Sequence, residues 1–118
     1  PLMYMPDGVR ALIELSEAPR ASLTRSIYNI AAFSPRADEI AEAVRSALGC
    51  GEFTFVSDVR RQAMLDSWPR ALDDRNARRD WGWKPQWSLA QMTADMIPRV
   101  RELIAKSPEL FEHTHEPS

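Results

Sequence analysis

The stretch RSIYNIAAFSPRADEIAEAVRSALGCGEFTFVS, residues 25–57, decides the fold class because its apolar pattern changes twice. Ile27, Tyr28 and Ile30 are good strand formers, and Ala31, Ala32 and Phe33 lead into a turn, so 25–33 reads as a strand. From Ser34 the period becomes helical. Ser34 is placed to cap, Pro35 suits the first helical position, and Gly49 stops the run. Ile40, Val44 and Leu48 then fall on one face, with Ala37, Ala41 and Ala47 beside them. Residues 52–57 return to a strand pattern, with Phe53, Phe55 and Val56 to bury.

The pattern extends outward on both sides. Leu2 to Met5 reads as a buried strand, and a buried strand so near the start implies a chain cut from something longer. Residues 6–18 read as a helix. Pro6 and Asp7 start it, Pro19 ends it, and Val9, Leu12, Ile13 and Leu15 form its apolar stripe. Residues 58–72 carry no clear period and read mostly as loop. Residues 73–82 form a short helix capped by Asp73 or Asp74 and closed by Gly82. Residues 83–87 are extended, because the residue before Pro85 avoids the helical region. Ser88 caps a long helix with Leu89, Met92, Met96, Val100, Leu103 and Ile104 inward. Pro98 inside it removes a backbone hydrogen bond, which predicts a kink or two helices meeting. Helices alternating with short strands make the fold α/β. Residues 108–118 read as a tail, disordered from about His113.

Composition narrows the functional classes. At 118 residues, 44% apolar and 27% charged, the chain is one soluble domain with a modest core. A net charge of −2 argues against nucleic acid as a partner. No apolar run approaches a membrane span. One cysteine, Cys50, excludes an internal disulfide and fits a reducing, cytoplasmic setting.

Most catalytic constellations are missing. Gly8, Gly49, Gly51 and Gly82 make neither a dinucleotide fingerprint nor a phosphate loop. His113 and His115 are the two histidines, both in the tail, and two such residues fall short of a metal site. Cys50 follows a helix C-terminus, where the dipole disfavours a thiolate. Arg75, Arg78 and Arg79 are interleaved with Asp73, Asp74 and Asp80, so they read as ion pairs on a solvated helix. No catalytic, cofactor-binding or metal-binding residue is assigned.

The tryptophans carry more information. Trp81, Trp83 and Trp87 flank Gly82 and Pro85 and read as a cluster pinning this corner to the following helix. Trp68, in the stretch DSWP (66–69), lies outside any periodic face. It is either a core plug or the aromatic wall of a small-molecule pocket, and the two readings stand even.

Four stretches together resemble a known family: MYMPDGVRALIELSEAP, YNIAAFSPRADEIAEAVR, DSWPRALDDRNARRDWGWKP and SLAQMTADMI. They resemble the C-terminal part of the extended short-chain dehydrogenase/reductases, the NAD-dependent epimerase/dehydratase superfamily. Within it they look most like the short-chain type of L-threonine 3-dehydrogenase. The resemblance spans roughly Pro1 to Arg101. The pattern D-x-x-x-A-R-x-x-W-G-W-K-P, from Asp73 to Pro85, is general to the superfamily, whereas MYMPD and RQAMLDSWP resemble the threonine-dehydrogenase group.

The resemblance implies a small C-terminal substrate-binding subdomain over residues 1–107, short strands with flanking helices, and no Rossmann half. It implies Trp68 beside an amino-acid substrate, L-threonine, oxidised to 2-amino-3-ketobutyrate with NAD. Tyr4 and Tyr28 are followed four positions on by Gly8 and Ala32, so the family's Tyr-x-x-x-Lys pair is not in this chain. The chain alone is then expected to be inactive and not to bind NAD. Its expected partners are the missing half and a second copy of itself. Two other readings remain: a piece of a nucleotide-sugar epimerase or dehydratase, and a non-catalytic interaction module.

Overall fold

A computed structural model describes residues 1–110 of the chain. Five helices follow one another: α1 (Met5–Glu17), α2 (Ala37–Leu48), α3 (Val59–Asp66), α4 (Arg75–Trp81) and α5 (Leu89–Lys106). Short 3-10 turns occupy Arg20–Ser22 and Pro108–Leu110. Residues 111–118, with His113 and His115, lie outside the described residues, and so does the expectation of disorder from His113.

The helix ends follow local chemistry. Gly49 and Gly82 close α2 and α4 in the left-handed conformation, with φ of 72° and 76°. Ser88 caps α5 by accepting from Gln91 N, while the Gln91 side chain accepts from Ser88 N. The α2 cap falls at Arg36, two residues past Ser34, and Glu39 Oε2 accepts from Arg36 N. The α5 helix runs unbroken across Pro98. It packs against α2, and Ile40, Val44 and Leu48 are all half-buried.

The expected strands are corrected. Among the described residues no strand forms, and Leu2 and Phe33 make a single isolated antiparallel bridge. Leu2 N donates to Phe33 O at 2.8 Å, and Phe33 N donates to Leu2 O at 3.3 Å. Residues 27–30 keep a strand's period: Tyr28 and Ile30 pack on the core while Ile27 and Asn29 face outward. A strand also needs a neighbouring backbone to pair with, and these residues have none beyond that bridge. Residues 53–57 are without regular structure, and Val56 is 89% exposed rather than buried.

Two helical expectations also change. The segment read as loop contains α3. Asp58 Oδ1 caps it by accepting from Arg60 N and Arg61 N. Arg, Gln, Ala, Met and Leu then propagate the helix well, and every residue of it is exposed. A helix with no buried face has no apolar period to detect. In α1 the apolar stripe faces outward, with Leu12 70% exposed. The buried residues of α1 are Ala11 and Asp7.

The core is correspondingly small. Ala11, Ala77 and Trp83 are its buried apolar residues, with Met3, Tyr28, Ile30 and Trp81 packed around them. Polar anchors fix the chain around it. Asp7 is fully buried and accepts from Gln86 N at 3.0 Å, Trp87 N at 3.0 Å and Arg10 Nη2 at 2.8 Å. Arg10 also donates to Lys84 O at 2.6 Å, and its guanidinium lies 4.8 Å from the Trp83 ring centroid. Trp83 Nε1 donates to Ala31 O at 2.9 Å, tying the 28–33 segment to the same centre. On the far side Asp80 Oδ2 accepts from Thr24 Oγ1 at 2.6 Å and from Tyr28 Oη at 2.7 Å. Its Oδ1 accepts from Arg79 at 2.7 Å.

These partners set the charge state of Asp7. Burial alone would raise the carboxyl, but the Arg10 guanidinium and the Trp87 and Gln86 amides outweigh it, and its pKa lies below the usual 3.8. A carboxyl lowered in the folded state stabilises above the unfolded pKa, and that stability is lost as pH falls through the lower folded value. Asp7→Asn should therefore cost about 2 kcal/mol at neutral pH, the worth of hydrogen bonds to a charged group. The difference from the natural chain should shrink as pH drops below 3.8. Urea unfolding of both chains at neutral and acid pH measures this, and a pH-independent difference would contradict it.

Candidate functional site

Trp68 sits immediately after α3. Its backbone N–H donates to Leu65 O at 3.1 Å, and Ser67 Oγ donates to Met64 O at 2.6 Å, so the turn is tied to the last turn of the helix. Pro69 fixes the next φ and ends any continuation. Trp68 is 56% exposed, so it plugs no core formed by the described residues. Trp81, Trp83 and Trp87 are elsewhere, as expected. Trp81 and Trp83 lie 5.7 Å apart, and Trp87 meets Tyr4 edge-on at 5.0 Å.

Trp68 forms one side of an open cleft of about 600 Å³. Leu65, Pro69 and Arg70 lie on its side, Ser34, Pro35 and Arg36 face it from the entry to α2, and Pro1 also lines it. The second wall is held by the Leu2–Phe33 bridge just before Ser34. The charged side chains lining the cleft are Arg36 and Arg70, both cations. Arg36 Nη2 donates to Asp38 Oδ2 at 2.5 Å, in a pair exposed on both sides. Arg70 pairs with no carboxylate among the described residues. Trp68 stands out in the sequence as a residue outside any periodic face, whereas the two arginines carry no such signal. They are 34 positions apart, and no spacing rule joins them.

The arginine-rich α4 surface is no rival site. Arg75, Arg78 and Arg79 pair with Asp73, Asp74 and Asp80 at 2.7–2.8 Å. The Arg75 guanidinium holds Asp73 down to about 2. Among the described residues no group of three His, Cys, Asp or Glu is placed to hold a metal ion, and no helix is long and apolar enough to cross a membrane. A dinucleotide cradle does not fit the residues present: Gly49 and Gly82 end helices, and Gly8 lies inside α1.

No family model matches the chain. Among curated proteins, it is 42% identical over 97 residues to the mitochondrial L-threonine 3-dehydrogenase of Bos taurus, a match covering 82% of this chain and 26% of that one. It is 34% identical over 100 residues to an uncharacterised epimerase/dehydratase of Staphylococcus saprophyticus, covering 84% and 31%. Among solved structures, the apo form of a GalE-like L-threonine dehydrogenase from Cupriavidus necator matches with a TM-score of 0.77 at 46% identity, covering 85% of this chain and 36% of that one. The L-threonine 3-dehydrogenase of Trypanosoma brucei matches with a TM-score of 0.80 at 36% identity, covering 89% and 33%. The resemblance to the threonine-dehydrogenase group and to epimerase/dehydratases is thus a homology spanning most of the chain. The chain spans about a quarter to a third of the length of these relatives.

The exposure pattern makes an optical prediction. Trp68 is the one tryptophan open to solvent, while Trp83 is fully buried and Trp81 and Trp87 are half-buried. Collisional quenching should fall mainly on Trp68 and be stronger with iodide than with caesium, because the flanking side chains are cationic. Trp68→Phe should remove the readily quenched component. Quenching that survives this substitution would show that the cleft is closed in solution.

Proposed function

We propose that this chain, over residues 1–107, is the substrate-side portion of an NAD-dependent L-threonine 3-dehydrogenase. The observation that carries the reading is the joint match in sequence and fold to threonine dehydrogenases, with Trp68 on an open cleft inside the matched type of fold. Among curated relatives the identity is 40–42% to threonine dehydrogenases and 34–35% to uncharacterised epimerase/dehydratases, which favours an amino acid over a nucleotide sugar.

The reaction is oxidation at the hydroxyl-bearing carbon of L-threonine, giving 2-amino-3-ketobutyrate. NAD would supply the hydride-acceptor chemistry and a tyrosine the general base, both held by a Rossmann half, since no residue of this chain makes a dinucleotide cradle. The present chain contributes recognition. Trp68 lays a rigid aromatic wall along the substrate, and the Pro69 turn keeps it in place. A wall built on few rotatable bonds binds a small ligand at low entropic cost. The lone cysteine, Cys50, is exposed, which suits a reducing compartment such as the cytoplasm.

Unpartnered surface supports the division of labour. The chain exposes 9655 Å², where a compact protein of 13.4 kDa exposes about 6,500 Å². Met5, Val9, Leu12 and Ile13 make an outward apolar face on α1, and Met96, Val100 and Ile104 make another on α5. Faces of this kind are where a Rossmann half packs, and without one they bind another copy. Sedimentation equilibrium of the chain at micromolar concentration should give a dimer or larger species. A strict monomer would remove self-association from the proposal.

The activity is tested by a chimera in which this chain replaces the corresponding third of the Cupriavidus necator enzyme. Threonine-dependent NADH production is expected. A folded chimera active on a nucleotide sugar alone would favour the epimerase reading, and a folded, inert one would favour a non-catalytic module. In the active chimera, Trp68→Ala should raise KM and lower kcat/KM by roughly 10- to 100-fold, the range for a modest loss in a pocket. Unchanged kinetics would take Trp68 out of the site.

A further inference from the structure

We propose that Arg70 is the carboxylate anchor of the Trp68 cleft and so restricts it to small α-amino acids or related carboxylates. This rests on the reading of Trp68 as a substrate wall.

Three observations converge on Arg70. The first is charge. The chain carries a net charge of −2, yet the charged side chains lining the cleft are two arginines with no carboxylate between them. The second is availability. Arg75, Arg78 and Arg79 nearby are each paired with an aspartate, and Arg36, the other arginine of the cleft, is engaged by Asp38. Arg70 alone in the cleft keeps its guanidinium unpaired among the described residues. The third is placement. Arg70 follows Pro69, whose fixed φ removes one backbone freedom between Trp68 and the cation.

A planar guanidinium matches a carboxylate with two parallel hydrogen bonds. An amino acid gripped in this way has a defined orientation. Its ammonium avoids the two arginines and lies towards the electron-rich face of the Trp68 ring. Its side chain, with the carbon to be oxidised, then points out through the open mouth, where a cofactor-bearing half has access to it. Ser34, on the opposite wall, offers a hydroxyl to the same carboxylate. The positive end of α2 beside it is largely offset by Asp38 and Glu39 in the first helical turn, so among the side chains lining the cleft Arg70 is the principal anion contact.

The test is a nitrogen-15 NMR titration of the 118-residue chain, following the Trp68 indole N–H and the arginine Nε–H signals. The Trp83 indole N–H, bonded to Ala31 O in the core, reports on folding. L-threonine should shift the Trp68 and Arg70 signals saturably at millimolar concentration, whereas L-threoninamide, which lacks the carboxylate, should not. Arg70→Ala should weaken L-threonine binding by about tenfold or more, and Arg70→Lys should recover part of it, since a charge remains without the fork. Threonine binding that persists in Arg70→Ala with the Trp83 signal unmoved, or equal binding of the amide, would overturn the role of Arg70 and leave Trp68 as a substrate wall. No response of Trp68 to L-threonine, or tighter binding of UDP-glucose than of L-threonine, would overturn both.

Discussion

The carboxylate of Asp7 is the constraint on which the rest of the chain hangs. It is fully buried at the start of α1 and takes hydrogen bonds from two backbone amides almost eighty residues away, at Gln86 and Trp87. A carboxylate can be held without water only when donors surround it. Those donors are the extended segment between α4 and α5, so satisfying Asp7 fixes α1 against the entry to α5. Arg10 completes the arrangement. It neutralises Asp7, bonds Lys84 O and covers the Trp83 ring. With Ala11, Ala77 and Trp83 as the buried apolar residues, no large core is available to do this work.

From that centre the structure reaches the cleft by a short path. Trp83 holds Ala31 through its indole N–H, and Asp80 holds Tyr28 and Thr24, so residues 24–33 are pinned from both sides. Phe33 pairs with Leu2, and the next residues, Ser34 to Arg36, become one wall of the cleft. The opposite wall is less constrained. Residues 49–73 are exposed throughout, α3 and Trp68 included. One wall is therefore set by the chain's own polar anchors, and the other lies on the surface with its shape given by local turns.

The same imbalance accounts for the outward apolar face of α1 and the open groove between α2 and α5. An amphipathic helix buries its stripe against something. Here the stripe of α1 points away from the small polar-anchored centre, because the position facing Trp83 is taken by Ala11 and the one facing Gln86 by Asp7. The relatives are about three to four times as long as the matched region.

What the sequence determined by itself was a set of features held by bonds between near neighbours. Gly49 and Gly82 stop helices because only a residue without Cβ turns left-handed cheaply, Ser88 and Gln91 cap each other three residues apart, and the Asp73–Pro85 motif identifies the superfamily. What only tertiary structure decided depends on partners far along the chain. Residues 27–30 have a strand's period, but whether a strand forms depends on a second backbone, and just one bridge is supplied. Helix α3 escaped reading because a helix with no buried face has no apolar period. Asp7 looked like a helix-start residue, yet its burial is set by amides at 86 and 87. Trp68 was legible as a residue out of pattern. That it stands in the open, with Arg36 and Arg70 lining the same cleft, follows from folding, since bringing residues 34 positions apart to one cleft is set by the path of the backbone and not by any local rule.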